Sequence, residues 1–242
     1  MKIEQKETFL PTYDTYTYQS QQEATEVYYK ISNYDAITMA SVYQKAFSEA
    51  PWYERYCCTT CGSFLKEPGI CTQCTSEVIQ KAYPVGELVS EYFPKMLGEY
   101  APGMITLARN RGKIVGFTTG GMVTLENIVD RKYKNNPFLL ADITRRCDID
   151  PATIIFYDNE TCINPAAQQM GLGRELSRQR INVAKELGAE YICGRTINMP
   201  WLRLKERQLT EAGYSFTAFV PSGETYQVES VLRRFYFARQ NK

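Results

Sequence analysis

Five of the eight cysteines fall between Cys57 and Cys74, in the stretch CCTTCGSFLKEPGICTQC. Its two Cys-x-x-Cys pairs, Cys58/Cys61 and Cys71/Cys74, supply four thiolates, the set that closes a tetrahedral zinc site. Turn formers flank them: Gly62 follows the first pair and Pro68-Gly69 precedes the second. Cys57 is left over and is able to exchange roles with Cys58. Four protein sulfurs leave no open coordination position, so the expected Zn²⁺ is structural and not catalytic. The stretch contains one basic residue, Lys66, and one aromatic, Phe64. A ribbon that reads nucleic acid interleaves many of both, so nucleic acid is not an expected partner.

A second stretch able to do chemistry is INPAAQQMGLGRELS, residues 163–177. It leads from a strong strand pattern, TIIFYDNETCIN (153–164), into an amphipathic helix over 171–188. The first amides of a helix have no intrahelical acceptor, and the helix dipole adds positive potential. Gly171 and Gly173 leave those amides uncovered, which makes a cradle for a pyrophosphate. No Gly-Lys-Ser/Thr follows, and Gly-x-Gly-x-x-Gly is absent, so this is neither a Walker loop nor a dinucleotide fingerprint.

The chain has no histidine. Ser-His-Asp and Cys-His machinery and imidazole bases are thereby excluded, and proton transfer falls to Asp, Glu, Tyr, Cys, Lys or water. Net charge is +1 over 242 residues, so no global basic field draws in polyanions. No run approaches the roughly 18 apolar residues of a membrane span, and the N-terminus lacks the apolar core of a signal peptide. A cytoplasmic protein without a membrane partner is expected.

The elements that must position these groups read as follows. YYKISNYD (28–35) reads as a strand leading into a helix that ends before Pro51, and 86–100 as a second helix with Pro94 at a kink. A hairpin spans 104–121, and 122–152 is helical and irregular. Strands at 190–196, 214–221 and 231–240 enclose a helix over 201–213. Residues 1–28 form an arm or extra strands, and 29–242 one domain carrying the cysteine segment, 56–76, as an insertion between its first two helices.

Gln168-Gln169-Met170-Gly171-Leu172-Gly173 resembles the Gln/Arg-x-x-Gly-x-Gly/Ala signature of the GNAT superfamily of acyl-CoA-dependent N-acyltransferases. Ile163-Asn164-Pro165 is similar to the Val-x-Pro that leads into that loop. AFSEAPWYE (46–54) resembles the Phe-x-x-x-Pro-Trp-x-Glu stretch after the first helix of bacterial members, and EAGY (211–214) their Leu-Gly-Phe. The order of elements resembles the GNAT fold over roughly residues 29–240.

The resemblance implies an α/β (α+β) fold, with a mixed, mostly antiparallel sheet splayed between its fourth and fifth strands. Acetyl-CoA, or a longer acyl-CoA, would lay its pantetheine arm in the gap against Thr161, Cys162 and Ile163. Its pyrophosphate would sit on the loop Gln168, Gln169, Met170, Gly171, Leu172, Gly173 and Arg174, with Asn198 on the arm. The acceptor would be a primary amine of a small molecule, peptide or protein, acetyl being the default acyl group. Glu160 and Asp158 lie where many members carry a base, and simple alternation puts them on one face of the strand. Glu54 is a further candidate on the acceptor side. The position where many members carry a proton-donating Tyr is Leu209 here, leaving Tyr214 or water. Cys162 reads as a small buried strand residue and not a nucleophile. Family habit implies a homodimer. The alternative is a non-catalytic binding module whose ribbon recognises protein or nucleic acid.

Overall fold

The computed structural model describes residues 9–133, 136–228 and 231–241. The first eight residues of the expected N-terminal arm lie outside them. The chain opens with strand β1 (Pro11–Tyr18), helix α1 (Gln21–Lys30) and helix α2 (Asn33–Ser48). Three short strands follow, β2 (Tyr56–Cys58), β3 (Phe64–Leu65) and β4 (Ile79–Lys81), which pair as a small sheet of their own. Next come helix α3 (Val85–Glu87), a π-turn (Leu88–Tyr92) and helix α4 (Phe93–Gly98). Strands β5 (Gly103–Asn110) and β6 (Lys113–Thr124) form the expected hairpin, and helices α5 (Leu125–Tyr133) and α6 (Pro137–Cys147) follow it. Then come β7 (Ile154–Ile163), α7 (Leu172–Glu186), β8 (Tyr191–Thr196), α8 (Met199–Glu211) and β9 (Tyr214–Phe219). The chain closes with β10 (Gln227–Val228), β11 (Val231–Leu232) and β12 (Arg234–Gln240).

The main sheet runs β1-β5-β6-β7-β8-β12-β9. Its pairs are antiparallel except β7–β8, so it is the mixed, mostly antiparallel sheet expected. Helices α1, α2 and α4 bury Tyr28, Tyr43 and Phe93 against Leu107, Phe117 and Cys162 on one face. Helices α5 and α6 extend that layer over Ile155, Tyr157 and Phe235. Helices α7 and α8 cover the other face, where Ile181, Leu202 and Leu209 meet Phe156, Ile192 and Tyr236. Each face thus has its own dry core, and the sheet's two interior strands β7 and β8 are covered on both sides.

The strand expected within 28–35 is absent. Helix α1 runs through Tyr28 to Lys30, and α2 starts at Asn33. The β-propensity of Tyr and Ile is outweighed by end signals on both sides. The Ser20 hydroxyl accepts from the Glu23 amide at 3.2 Å, and the Glu23 carboxylate accepts from the Gln19 amide at 2.7 Å, a variant of the capping box. Ser32 caps α2 in the same way through the Asp35 amide. Ala24, Val27, Tyr28 and Ile31 then share the buried stripe of α1. The π-turn has its own cause. Pro94 lacks an N–H, and the Phe93 amide reaches back five residues to the Leu88 carbonyl.

One irregularity in the sheet changes the site. Thr118 pairs with Thr161 and Gly120 with Asp158, so two steps on β6 span three on β7. The extra residue is a β-bulge at Asn159 and Glu160. Asp158 faces α7 and α8, whereas Glu160 and Asn159 reach Tyr92 and Thr119 on the α2/α4 face. The two carboxylates expected on one face therefore lie on opposite faces.

Candidate active site

Strands β7 and β8 pair only at Phe156↔Ile192, Tyr157↔Cys193 and Asp158↔Gly194. Past Asp158, β7 keeps its bonds to β6 as far as Ile163↔Gly116 but has no pairing toward β8. The strands splay as the resemblance implies, and Thr161, Cys162 and Ile163 present an open edge that an extended chain can join. The side chain of Cys162 is buried in the core, where burial holds its thiol well above the ordinary range. Only its backbone is available to a ligand.

At the end of that edge, Asn164 caps a short 3-10 turn over Pro165–Ala167. Gln169 and Gly171 then take left-handed conformations, with φ of 65° and 82°. Gly171 is the N-cap of α7 and contributes no side-chain cap. Among the described hydrogen bonds, none occupies the amides from Gln169 to Arg174 with a protein acceptor. These donors open together at the start of a 15-residue helix. Gly173 fits tightly: a Cβ there would stand 3.3 Å from Ile163 Cδ1 and 3.4 Å from Trp201 Cζ3. Leu172 turns into the core, while Gln168, Met170 and Arg174 are exposed. The Asn198 carboxamide oxygen caps α8 through the Trp201 amide at 3.0 Å, which leaves its NH₂ group for a ligand.

The strand order, the splay and the bare helix start decide the architecture. It is the architecture that the resemblance to the GNAT superfamily implied. No family model matches the chain, and no curated protein matches it. Solved structures with which it aligns include the polyamine N-acetyltransferase of Drosophila melanogaster, which forms N-acetylagmatine. That chain is 14% identical at a TM-score of 0.45, over 94% of this chain and 100% of that one. A diaminobutyrate acetyltransferase of Paenibacillus lautus, solved with its substrate and coenzyme A, is 13% identical at a TM-score of 0.42, over 97% and 98%. A mosquito arylalkylamine N-acetyltransferase-like protein is 11% identical at 0.45, over 93% and 99%.

One cleft of about 1560 Å³ connects the glycine loop at the start of α7 to the far end of the splay. Gln168, Gly171, Gly173 and Asn198 line one end, Thr161 and Glu160 the middle, and Trp52, Glu54, Tyr83 and Tyr226 the other. Both Glu54 oxygens are engaged, one by the Tyr83 hydroxyl and one by the Tyr226 hydroxyl. Burial pushes the Glu54 carboxyl up, although both phenols pull it the other way. Glu160 is freer: one oxygen stands 3.5 Å from the Tyr92 hydroxyl.

The raised pKa of Glu54 has a consequence for stability. In the fold the neutral form is favoured, so ionised Glu54 costs stability above its folded pKa, and the cost is relieved as pH falls through it. Glu54→Gln keeps the shape and offers one acceptor and one donor to the two phenols. It is expected to leave the Tm unchanged or higher while lowering turnover roughly tenfold or more. Thermal scans and initial rates on the same preparation check this, and a large loss of Tm would contradict it.

Asp158 is not placed to act as a base. Its side chain is 1% exposed, and Arg180 Nε lies 2.6 Å from one oxygen. Lys205 and the Tyr236 hydroxyl hold the other. Burial would raise its pKa, but Arg180 and Lys205 overcome burial and hold the carboxyl below its ordinary value. Tyr236 reaches Asp158 by crossing β8 at Gly194, where a Cβ would stand 2.9 Å from the Tyr236 ring carbon Cε1. The Arg180 guanidinium also donates to the carbonyls of Thr119 and Glu160, at 3.1 Å each, and so staples the bulge. Tyr214, offered as a proton donor, is buried on β9 with its hydroxyl on the Ala189 carbonyl at 3.0 Å, away from the cleft.

The four ribbon thiols converge. The ligand atoms of Cys58, Cys61, Cys71 and Cys74 all lie within 4.8 Å of one another. Cys58 Sγ is 3.5 Å from Cys74 Sγ, and Cys61 Sγ is 3.6 Å from Cys71 Sγ. Sulfurs around a zinc ion with ~2.3 Å bonds stand ~3.8 Å apart, so the set fits the ion. The two knuckles repeat one backbone pattern. Gly62 donates to the Cys58 carbonyl and Thr75 to the Cys71 carbonyl, each at 2.8 Å. Cys58 and Cys71 donate to the carbonyls of Ser63 and Ser76, each at 2.9 Å. Gly62 and Thr75 are both left-handed, with φ of 73° and 59°. Cys57 takes no part in the cluster. Ribbon residues Cys61 to Lys66, with Thr72 and Gln73, line the cleft beside Glu54. Lys132, Arg195 and Arg233 also line it. They come from three distant segments and have no common spacing in the sequence.

Proposed function

We propose that this protein is an acyl-CoA-dependent N-acyltransferase that moves an acyl group directly from the thioester to a primary amine. The observation that carries the reading is the single cleft. One end holds the free amides of Gln169 to Arg174 and the open edge of β7; the other holds Glu54 and Glu160. A pyrophosphate suits the first end, an extended pantetheine arm the open edge, and an amine the carboxylates. The bulge sets the reacting centre between them, because it turns Glu160 toward the acceptor side.

Glu160 takes the proton that the amine must lose to become a nucleophile. The nitrogen–carbon bond forms, the carbon–sulfur bond breaks, and the adduct's remaining surplus N–H proton passes through water to the departing thiolate. Glu54, fixed by Tyr83 and Tyr226, gives the acceptor's ammonium a negative surface beside the ribbon wall. A zinc ion, which Cys58, Cys61, Cys71 and Cys74 would hold, would supply fold energy to that wall and take no part in the chemistry. Glu160→Gln is expected to lower kcat roughly 100-fold with the KM for acetyl-CoA unchanged. Steady-state rates with acetyl-CoA and a panel of primary amines check this, and wild-type kcat in the variant would remove Glu160 from the mechanism.

A further inference from the structure

Besides Lys66 on the ribbon wall, three cationic side chains from the main domain line the acceptor half of the cleft: Lys132 at the end of α5, Arg195 on β8 and Arg233 before β12. Among the described residues, none of these three has a carboxylate within ion-pair distance. Arg195 donates to the Lys132 carbonyl at 3.1 Å and lies 5.2 Å from the Tyr133 ring centre. Arg233 stacks on Tyr226 at 3.8 Å, the phenol that holds Glu54. Lys132 is 5.8 Å from the centre of Tyr100. Burial lowers the pKa of both Lys132 and Arg233; Glu160 and Glu224 respectively pull them back up, and repulsion from Arg195 pushes both down. Such a cluster is costly to hold together unless something negative joins it.

The same half of the cleft holds carboxylates that attract these cations across the cavity without an ion-pair contact among the described residues. Glu54 is bound by phenols, Glu160 faces Tyr92, and one oxygen of Glu224 is buried without a hydrogen-bond partner. The hydroxyl of Tyr133, beside Arg195, is also buried and unpartnered. The fold thus keeps charges of both signs apart in one cavity. A polyamine would meet three like charges there. A simple amine would leave all three unpaired. A molecule with an ammonium at one end and a carboxylate at the other satisfies both sets.

We infer that the acceptor is a carboxylated amine of the amino-acid type, its carboxylate held by Arg195, Arg233 and Lys132 and its amine by Glu54 and Glu160. Arg195 comes from the strand face that carries Cys193 and the α5/α6 core, opposite the face covered by α7, whose start carries the phosphate-type loop. The cationic trio is therefore a separate site from the amides of Gln169 to Arg174. Arginine suits the task, because its planar fork meets both carboxylate oxygens, and the Tyr133 hydroxyl adds a neutral donor.

This inference rests on the acyltransferase reading for its chemistry, but its binding test does not need acyl-CoA. The protein is titrated, without coenzyme, with matched pairs: lysine and cadaverine, arginine and agmatine, tryptophan and tryptamine, serine and ethanolamine, leucine and isopentylamine. Binding is read by calorimetry. At least one carboxylated member should bind roughly 10- to 100-fold more tightly than its decarboxylated twin. That preference should fall toward unity in both Arg195→Gln and Arg233→Gln, while titration with coenzyme A is unchanged in each. Two variants are used so that a folding defect in one does not decide the matter. Equal binding within every pair, tighter binding of the decarboxylated members, or no binding of any pair overturns the inference. Loss of coenzyme A binding in the wild type with the carboxylate preference intact would instead sink the acyltransferase reading and leave the carboxylate site standing.

Discussion

Replacing Asp158 by alanine is expected to destabilise the protein by about 3–5 kcal/mol, because it leaves Arg180 as an uncompensated charge and Lys205 as an unpartnered amine in the core. For a chain of this size that corresponds to a Tm lower by roughly 10 °C. The loss should extend to activity, since Arg180 also fixes the carbonyls of Thr119 and Glu160 on either side of the bulge. A freed guanidinium no longer holds Glu160 toward the acceptor. The companion experiment replaces all three charged groups together, with Asp158→Leu, Arg180→Met and Lys205→Met. Apolar groups of similar volume should recover most of the stability but not the turnover. A single Asp158→Ala variant as stable as the wild type would show that the network is not what holds α7 and α8 to the sheet.

The same network predicts how stability depends on pH. The Asp158 carboxyl is held below its unfolded value of 3.8, so its contribution is complete above that pH. It is lost as the pH falls below 3.8 through the folded pKa. Burial pushes Lys205 down to about 7 from 10.5, against the attraction of Asp158. The fold therefore disfavours the lysine's proton, and this penalty is present below about pH 7 and relieved as the pH rises toward 10.5.

Removing zinc is expected to unfold the ribbon while leaving the main sheet folded. Between Tyr56 and Lys81 the buried residues are Cys58 and Cys71, both of them in the thiol cluster. No apolar core holds β2, β3 and β4 together, so the metal must supply that energy, on the order of 10 kcal/mol for small zinc modules. Cys71→Ser, or chelation, should release about one equivalent of zinc. Because Cys61 to Lys66 form a cleft wall beside Glu54, the acceptor KM should rise at least roughly tenfold. The KM for acyl-CoA should not change, since the loop from Gln168 to Arg174 stands at the other end of the cleft. Metal analysis with both KM values measures this. Retained zinc-free activity with an unchanged acceptor KM would reduce the ribbon to an ornament of the loop that carries it.

Much of this architecture is legible in the sequence, for reasons that are local. Cys58, Cys61, Cys71 and Cys74 declare themselves because metal knuckles need a fixed two-residue spacing. Gly171 and Gly173 do so because a left-handed turn into a helix start with bare amides calls for residues without side chains. The apolar periodicity of α7 and the alternation of β5 and β6 carry their own signal. The failures are equally physical. Alternation placed Asp158 beside Glu160, but a bulge adds one residue and reverses the face of all that follows. No residue type at Asn159 announces it; the fixing group, Arg180, lies on another element. The helix α1 was hidden under Tyr and Ile, yet Ser20 and Glu23 gave a cap signal that was readable. Lys132, Arg195 and Arg233 meet only through the topology of the sheet, so no spacing could show them.

The central claim is that the helix start at Gly171 and the splay beside it receive acyl-CoA. Calorimetric titration with acetyl-CoA, on the wild type and on Gly173→Glu, tests it most directly. The added carboxylate would stand among the amides of Gln169 to Arg174, against Ile163 and Trp201, and repel a pyrophosphate there. The account predicts one site per chain in the wild type and at least roughly 100-fold weaker binding in a variant that keeps its Tm. Binding that is unchanged in Gly173→Glu, or a wild type that takes neither acetyl-CoA nor a long-chain acyl-CoA, would contradict it.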